Sequence, residues 1–270
     1  MSSTIPNWFV TKYEREVATA FQQSTSKLRD TFRNITGVPD KFSVPTSESI
    51  EAVDDRPRYS DFEARENARD EITVTLKDVE AWAYFRDQDQ FRVNADLRKD
   101  TTDNLVAAIN RKLDTYIINA LNTTTTTELT ATSLNATALV SAQQFLNLAE
   151  VPDEDRYAAI SSYAYGDIMA DNKLTSRDFV SEQILKSGMI NYVQGFVLRR
   201  SNLLPAGTNG SDTRCFFYPK RAGVLGIGQD LKVRIDFIPQ KNAFQVLATM
   251  SANAALVRPE AVARMSVVNS

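Results

Sequence analysis

GMINYVQGFVLRRSNLLP, residues 188–205, sets two glycines around six residues, follows them with an apolar run carrying two arginines, and closes on Leu203-Leu204-Pro205. Such a segment suits the rim of an active site, or a flat element cut to fit a neighbouring one. The rest of the chain decides between the two.

Catalysis is poorly provided for. The 270 residues include no histidine and one cysteine, Cys215, so a Ser-His-Asp or Cys-His arrangement, a His-ligated metal, a multi-Cys zinc site and an internal disulfide are all excluded. Cys215 lies in the run Cys215-Phe216-Phe217-Tyr218 and reads as a small buried hydrophobe. Carboxylate chemistry would need two acids facing each other across a cleft. The acidic clusters are Asp54-Asp55, Asp87 with Asp89, and Asp153-Glu154-Asp155, all in turn-like sequence that reads as solvated. Gly223-Val224-Leu225-Gly226-Ile227-Gly228 lacks both the dinucleotide-binding spacing and the Lys-Ser/Thr of a phosphate loop, and reads as a bend between strands. Ser24-Thr25-Ser26-Lys27 matches S-x-x-K without the partner motifs of serine acyl-transfer enzymes. No catalytic residue, cofactor or metal ligand is assigned, and a carboxylate-dependent α+β enzyme is the reading these residues favour least.

The bulk properties are those of a globular chain with a real core: 43% hydrophobic residues, a formal net charge of −3 and 24% charged residues. An acidic balance gives no global basic surface for tracking phosphates. No window approaches the roughly 18 to 20 apolar residues of a membrane span, and MSSTIPNWFV lacks the basic-then-apolar order of a signal peptide, so no membrane partner and a cytoplasmic site of synthesis are expected. The N-x-S/T matches at Asn34, Asn122, Asn135 and Asn209 carry no weight in that setting.

Along the chain the patterning alternates between helix and strand. Residues 7–33 mix Trp8, Phe9, Val10, Tyr13, Val17, Phe21 and Leu28 with charges at near-helical spacing, an amphipathic arm that needs something to lie on, in another subunit if not its own. Residues 41–70 scatter aromatics among charges of both signs, interrupted by Pro45 and Pro57, and cannot build a core of their own; they read as a functional extension or a disordered linker, and the mixed charges with spaced aromatics favour a surface that packs on a partner. Ile72, Val74 and Leu76 alternate with polar residues as a strand, and 79–93 continue as a second extended piece. Asp100-Thr101-Thr102-Asp103 offers a helix start, followed by the stripe Leu105, Ile109, Leu113, Tyr116, Ile117, Ala120, Leu121, with Asn104, Arg111, Lys112, Asp114 and Asn119 on the other face. The threonine run 123–127 ends it. Further on, 138–149 predicts a helix, 157–161 a strand, Ser162 a cap for a short helix through Met169, and 214–228, 231–238 and 244–257 strands.

The order of these parts resembles the major capsid protein of tailed bacteriophages, the Hong Kong 97-type fold that encapsulin shells share. Three strings carry the resemblance: NLAEVPDEDRYAAISSYAYGDIM, with its helix, Pro-containing turn, strand and capped helix; the opening GMINYVQGFVLRRSNLLP; and ALVRPEAVARM near the C-terminus. The resemblance implies an α+β fold divided as follows: an N-terminal arm at 1–36, an extended E-loop at 37–71, a P-domain with a long spine helix at 72–128, an A-domain at 129–224, P-domain return strands at 225–251 and a C-terminal segment at 252–270.

It also implies a function in self-assembly, as pentamers and hexamers, into an icosahedral shell around double-stranded DNA, assembled in a host bacterial cytoplasm and ending in the virion. An encapsulin-like compartment is the alternative. Expected intersubunit contacts are Trp8 and Phe9 of the arm with Arg56, Arg58, Tyr59, Asp61, Phe62, Glu63, Arg65 and Arg69 of the E-loop; Arg111 and Lys112 are candidates for weak, non-specific DNA contact. Portal, scaffolding and decoration proteins are the implied partners, scaffolding as a separate protein. No Lys-Asn pair for covalent cross-linking is identified.

Overall fold

The computed structural model describes residues 25–47, 69–86, 97–171, 174, 190–207 and 209–268. In chain order the strands are β1 (Arg33–Thr36), β2 (Lys41–Ser47), β3 (Arg69–Thr75), β4 (Lys77–Phe85), β5 (Leu129–Ala131), β6 (Arg156–Ile160), β7 (Tyr192–Val193), β8 (Phe196–Arg200), β9 (Asp212–Pro219), β10 (Gly223–Ile238), β11 (Ala243–Leu256) and β12 (Ala263–Val268). The helices are α1 (Leu97–Asn122), α2 (Ala136–Leu148) and α3 (Ser162–Ala170).

The first layer is a four-stranded sheet in the order β1-β10-β11-β4, antiparallel except for the β1/β10 pair. β11 alternates cleanly: Val246, Ala248, Met250 and Ala252 are buried on one face, and α1 packs against that strand. The small side chains of Ala248 and Ala252 leave room for Leu105, Ile109, Leu113, Ile117 and Leu121, the stripe that the sequence spacing predicts. Each of those leucines and isoleucines contributes about 1.5–3 kcal/mol by leaving water. α1 begins at Leu97, ahead of the Asp100-to-Asp103 start expected from its acidic first turn.

The second layer is a six-stranded mixed sheet, β5-β12-β9-β6-β8-β7, with parallel pairs β5/β12 and β6/β8. Its centre is apolar on both faces: Phe216, Phe217, Tyr218, Ala158, Ile160 and Met265 are inaccessible, and Cys215 is buried among them as its neighbours suggest. α2 is capped by Asn135, whose side chain accepts from the Ala138 N–H, which gives one glycosylation-like asparagine a structural role. α3 is capped by Ser161, one residue before the Ser162 expected, because the Ser161 hydroxyl reaches the Ala164 N–H.

The 188–205 stretch lies at the edge of this second sheet, described from Ile190 onward. Gln194 and Gly195 adopt φ values of 45° and 84°, the left-handed pair of a two-residue hairpin turn, and join β7 to β8 through Tyr192↔Val197 and Val193↔Phe196. Phe196 and Leu198 point into the core, and Arg200 stacks over the Tyr165 ring at 4.4 Å. It is therefore a sheet element and not the rim of a cleft.

Several readings shift. Gly223–Gly228 is no bend; it opens the single long strand β10, which runs unbroken through the gap expected at 229–230 and carries register shifts between Ile227 and Lys232. Residues 26–36 do not extend away as an arm. Leu28 and Phe32 are fully buried, β1 pairs with β10, and the Tyr218 hydroxyl donates to Thr31. The rest of the arm expected at 1–36, residues 1–24, lies outside the described residues. Asp114, expected on the solvent face of the spine helix, is fully buried, because it accepts from the Ser26 hydroxyl and from the Lys27 and Leu28 N–H groups and so ties that segment to α1. The C-terminal segment divides: 252–256 finish β11 and 263–268 form β12 inside the six-stranded sheet.

Candidate functional site

β2 and β3 form a two-stranded ribbon, paired from Lys41↔Thr75 to Ser47↔Arg69, whose chain leads into and out of residues 48–68. No other described strand pairs with either edge of the ribbon, so Pro45, opposite Glu71, removes no ladder bond to a further described strand. Phe42, Val44 and Val74 face inward and meet Val38 and Val224 in an apolar cluster separate from the main core. Gly226 makes this possible. A Cβ at that position would stand 2.1 Å from the Phe42 ring, so glycine there lets the ring pack against β10 where any side chain would displace it. The glycines of 223–228 thus serve ring packing, since Gly223 likewise faces Phe32.

At its far end the ribbon is fastened by Arg258, which donates to the Ser47 carbonyl and pairs with Glu260 at 3.5 Å. The two sides enclose a cleft of about 530 Å³ lined by Thr46, Ser47, Arg69, Asp70, Arg258 and Glu260 among others. Arg69 is the one expected ribbon contact within the described residues, exposed at the first position of β3. Trp8, Phe9, Arg56, Arg58, Tyr59, Asp61, Phe62, Glu63 and Arg65 lie outside them. Only Arg69 of the expected contact residues is therefore placed, and any pairing among them lies outside the described residues.

Arg111 and Lys112 are exposed on α1, with Lys112 Nζ 5.6 Å and Lys77 Nζ 5.5 Å from the centre of the Tyr116 ring. Spacing placed Tyr116 on the apolar stripe; it is only half-buried, and the lysines cover its ring. Of the acidic clusters, Asp153-Glu154-Asp155 is a turn in which Asp153 pairs with the buried Arg156 at 3.0 Å and the Asp155 carbonyl accepts from the Lys220 N–H. The other two clusters fall outside the described residues. No group of three or more His, Cys, Asp or Glu among the described residues could hold a metal, and no described helix is long and apolar enough to cross a membrane. Burial pushes the Cys215 thiol up to about 12, which removes it as a nucleophile. Arg214 and Glu128 form a two-pronged ion pair at 2.7 and 3.1 Å that ties β9 to the approach of β5.

What the molecule does expose is apolar sheet surface. Trp82 and Tyr84 stand out from the face of β4 opposite α1, with Lys241 Nζ 3.9 Å above the Tyr84 ring. Val233, Ile235 and Phe237 are exposed along the other side of the same sheet, on β10. Their alternation marks a strand, and sequence alone offers no means of telling an exposed alternating face from a buried one.

The family described as phage capsid protein matches residues 5–268. No curated protein matches. The capsid of Cyanophage P-SCSP1u aligns over 100% of this chain and 96% of its own, at 17% identity and a TM-score of 0.79. A Mycobacterium phage Che8 chain aligns over 85% of each, at 18% identity and 0.69. The capsid of a native GTA particle aligns over 99% of this chain and 94% of its own, at 14% identity and 0.72. The fold is accordingly the α+β fold of Hong Kong 97-like phage capsids, with a ribbon, a sheet backed by a long helix, and a second mixed sheet. The chain belongs to the phage capsid protein family, and its part there is that of a structural shell protein and not an enzyme.

Proposed function

We propose that this major capsid protein closes into an icosahedral shell of pentamers and hexamers around double-stranded DNA. Each copy would reach its neighbours through the E-loop at 37–71 and the arm. Heterologous contacts that close by rotation generate rings, and rings joined at their peripheries generate a closed container. The four-stranded sheet with α1 corresponds in this reading to the peripheral P-domain, and most of the six-stranded sheet to the axial A-domain. The observation that carries it is the ribbon: a β-hairpin base with its own small core, fastened at one end by Arg258 and on the other by Phe42 over Gly226. A base built this firmly suits a segment that must hold its aim across a subunit boundary. Tyr59 and Phe62 would supply apolar area there at about 25 cal/mol per Å², and the charges from Arg56 to Arg69 would set register at about 0–1 kcal/mol per exposed pair.

Portal, scaffolding and decoration proteins complete such a particle, and its assembly belongs to the host bacterial cytoplasm. Electron microscopy of material purified from cells producing the chain tests the proposal. Closed particles with five- and six-fold clusters are expected, and nuclease-protected DNA within virions distinguishes a genome container from an enzyme compartment. A chain that remains monomeric at high concentration with and without a co-produced scaffolding protein would overturn it.

A further inference from the structure

β10 is longer than its neighbour on one side. β1 covers only Val224–Ile227, so along Lys232–Ile238 no described strand pairs with the outer edge of β10, while β11 pairs regularly with its inner edge from Thr249 to Ala243. An open edge of this length, free of proline and of a bulge after Lys232, is a template for another strand. Its side chains are those of a paired strand. Val233, Ile235 and Phe237 are 37%, 44% and 50% exposed on the α1 side, and Arg234 and Asp236 alternate with them on the other. Neither Arg234 nor Asp236 has an ion-pair partner among the described residues.

We propose that this edge pairs antiparallel with the same edge of a second copy, about a two-fold axis through Ile235. In that register Arg234 faces the partner's Asp236 and Asp236 faces the partner's Arg234, while Val233 faces the partner's Phe237 and Ile235 faces its own counterpart. Over residues 233–237 the sequence is complementary to itself in this one alignment, and the mismatched pair, Lys232 against the partner's Ile238, falls at the two ends of the edge. Moving the axis to residue 234 sets arginine against arginine, moving it to 236 sets aspartate against aspartate, and a slip by a single residue opposes Val233 to Asp236 and so puts apolar against charged groups. The axis stands normal to the sheet, so α1 of both copies lies on one side and the two four-stranded sheets join into one. The aromatic row Phe85, Phe244, Phe237, with ring centres 5.5 and 5.2 Å apart, then continues into the partner's Val233. This contact is isologous, unlike the heterologous contacts that build rings, and so suits the joining of one ring to the next. It rests on the shell reading above.

Cysteine pairing in particles of the full-length chain tests the register. Ile235→Cys places two thiols on directly opposed residues, about 4.5–5.5 Å apart at Cβ, within reach of a disulfide after small adjustment. Val233→Cys leaves its thiols four positions apart, roughly 13 Å. Native Cys215 is fully buried and does not compete. On mild oxidation, Ile235→Cys particles are expected to give about tenfold more disulfide-linked dimer than Val233→Cys particles, and Val233→Cys combined with Phe237→Cys restores the dimer. Independently, Arg234→Asp and Asp236→Arg each lower particle yield about tenfold, and the double exchange restores it. Particles of Ile235→Cys that oxidise without dimer, or a double exchange no better than either single, overturn this contact and leave the shell reading standing. Failure of the unaltered chain to form particles overturns both.

Discussion

Asp114 and Arg156 are charges that the fold buries and uses as fasteners. Arg156 donates to the Pro152 and Val151 carbonyls and to Asn147 Oδ1, fastening the turn that follows α2. Asp114 holds three donors of the 26–28 segment against α1. Removing the acceptor strands the buried Leu28 N–H away from water, at about 1–3 kcal/mol, while the part-buried Ser26 hydroxyl and Lys27 N–H can turn to water and lose less. Asp114→Ala should therefore lower unfolding stability by about 2–4 kcal/mol, and Asp114→Asn by less because the amide oxygen still accepts. A shifted urea midpoint at unchanged slope measures this. Glycines divide in the same manner. A Cβ at Gly226 collides with the Phe42 ring, whereas one at Gly166, on the exposed side of α3, meets nothing within 4 Å. Gly226→Ala is expected to cost about 1–3 kcal/mol by overpacking, and Gly166→Ala to stabilise by roughly 0.5–1 kcal/mol through helix propensity. Opposite signs from two glycine-to-alanine changes are read in one thermal unfolding experiment.

Helices with a single apolar stripe were legible from spacing, as α1 shows. Its start was not, because the first turn lies upstream of the polar residues that look like a cap, and Asp114 was misplaced because residue type says nothing of three donors arriving from 86 to 88 positions away. The strands of the second half were legible as apolar runs, but not the union of 223–238 into one strand, since glycine reads as a break and here admits aromatic rings. The ribbon follows the same logic. Alternation at Ile72, Val74 and Leu76 announces a strand, while its fastening by Arg258, 211 positions from Ser47, depends on the closed fold. If the segment that the ribbon carries is the main grip on a neighbour, Tyr59→Ala with Phe62→Ala should leave the subunit's circular dichroism and melting temperature unchanged and reduce particle yield severely. Normal yield from that double variant would move the grip elsewhere.

If the shell encloses DNA as proposed, its wall has to tolerate a dense polyanion without holding it, and the charge of the whole chain suits that task. Lysine and arginine number 31 against 34 aspartates and glutamates, and they are interspersed. Binding to duplex DNA through counterion release scales with the number of phosphates neutralised, with log K falling against log salt at about −0.9 per contact. If DNA contact is confined to the exposed pair Arg111 and Lys112 on α1, that slope for the unassembled chain should be only about −2, and affinity should fall below detection near physiological salt. Arg111→Gln with Lys112→Gln should then flatten the slope towards zero without changing particle yield, because neither side chain enters the sheets, the ribbon or the β10 edge. A slope steeper than about −5 would instead require a concentrated basic lining, and that lining would have to be sought in residues other than these two.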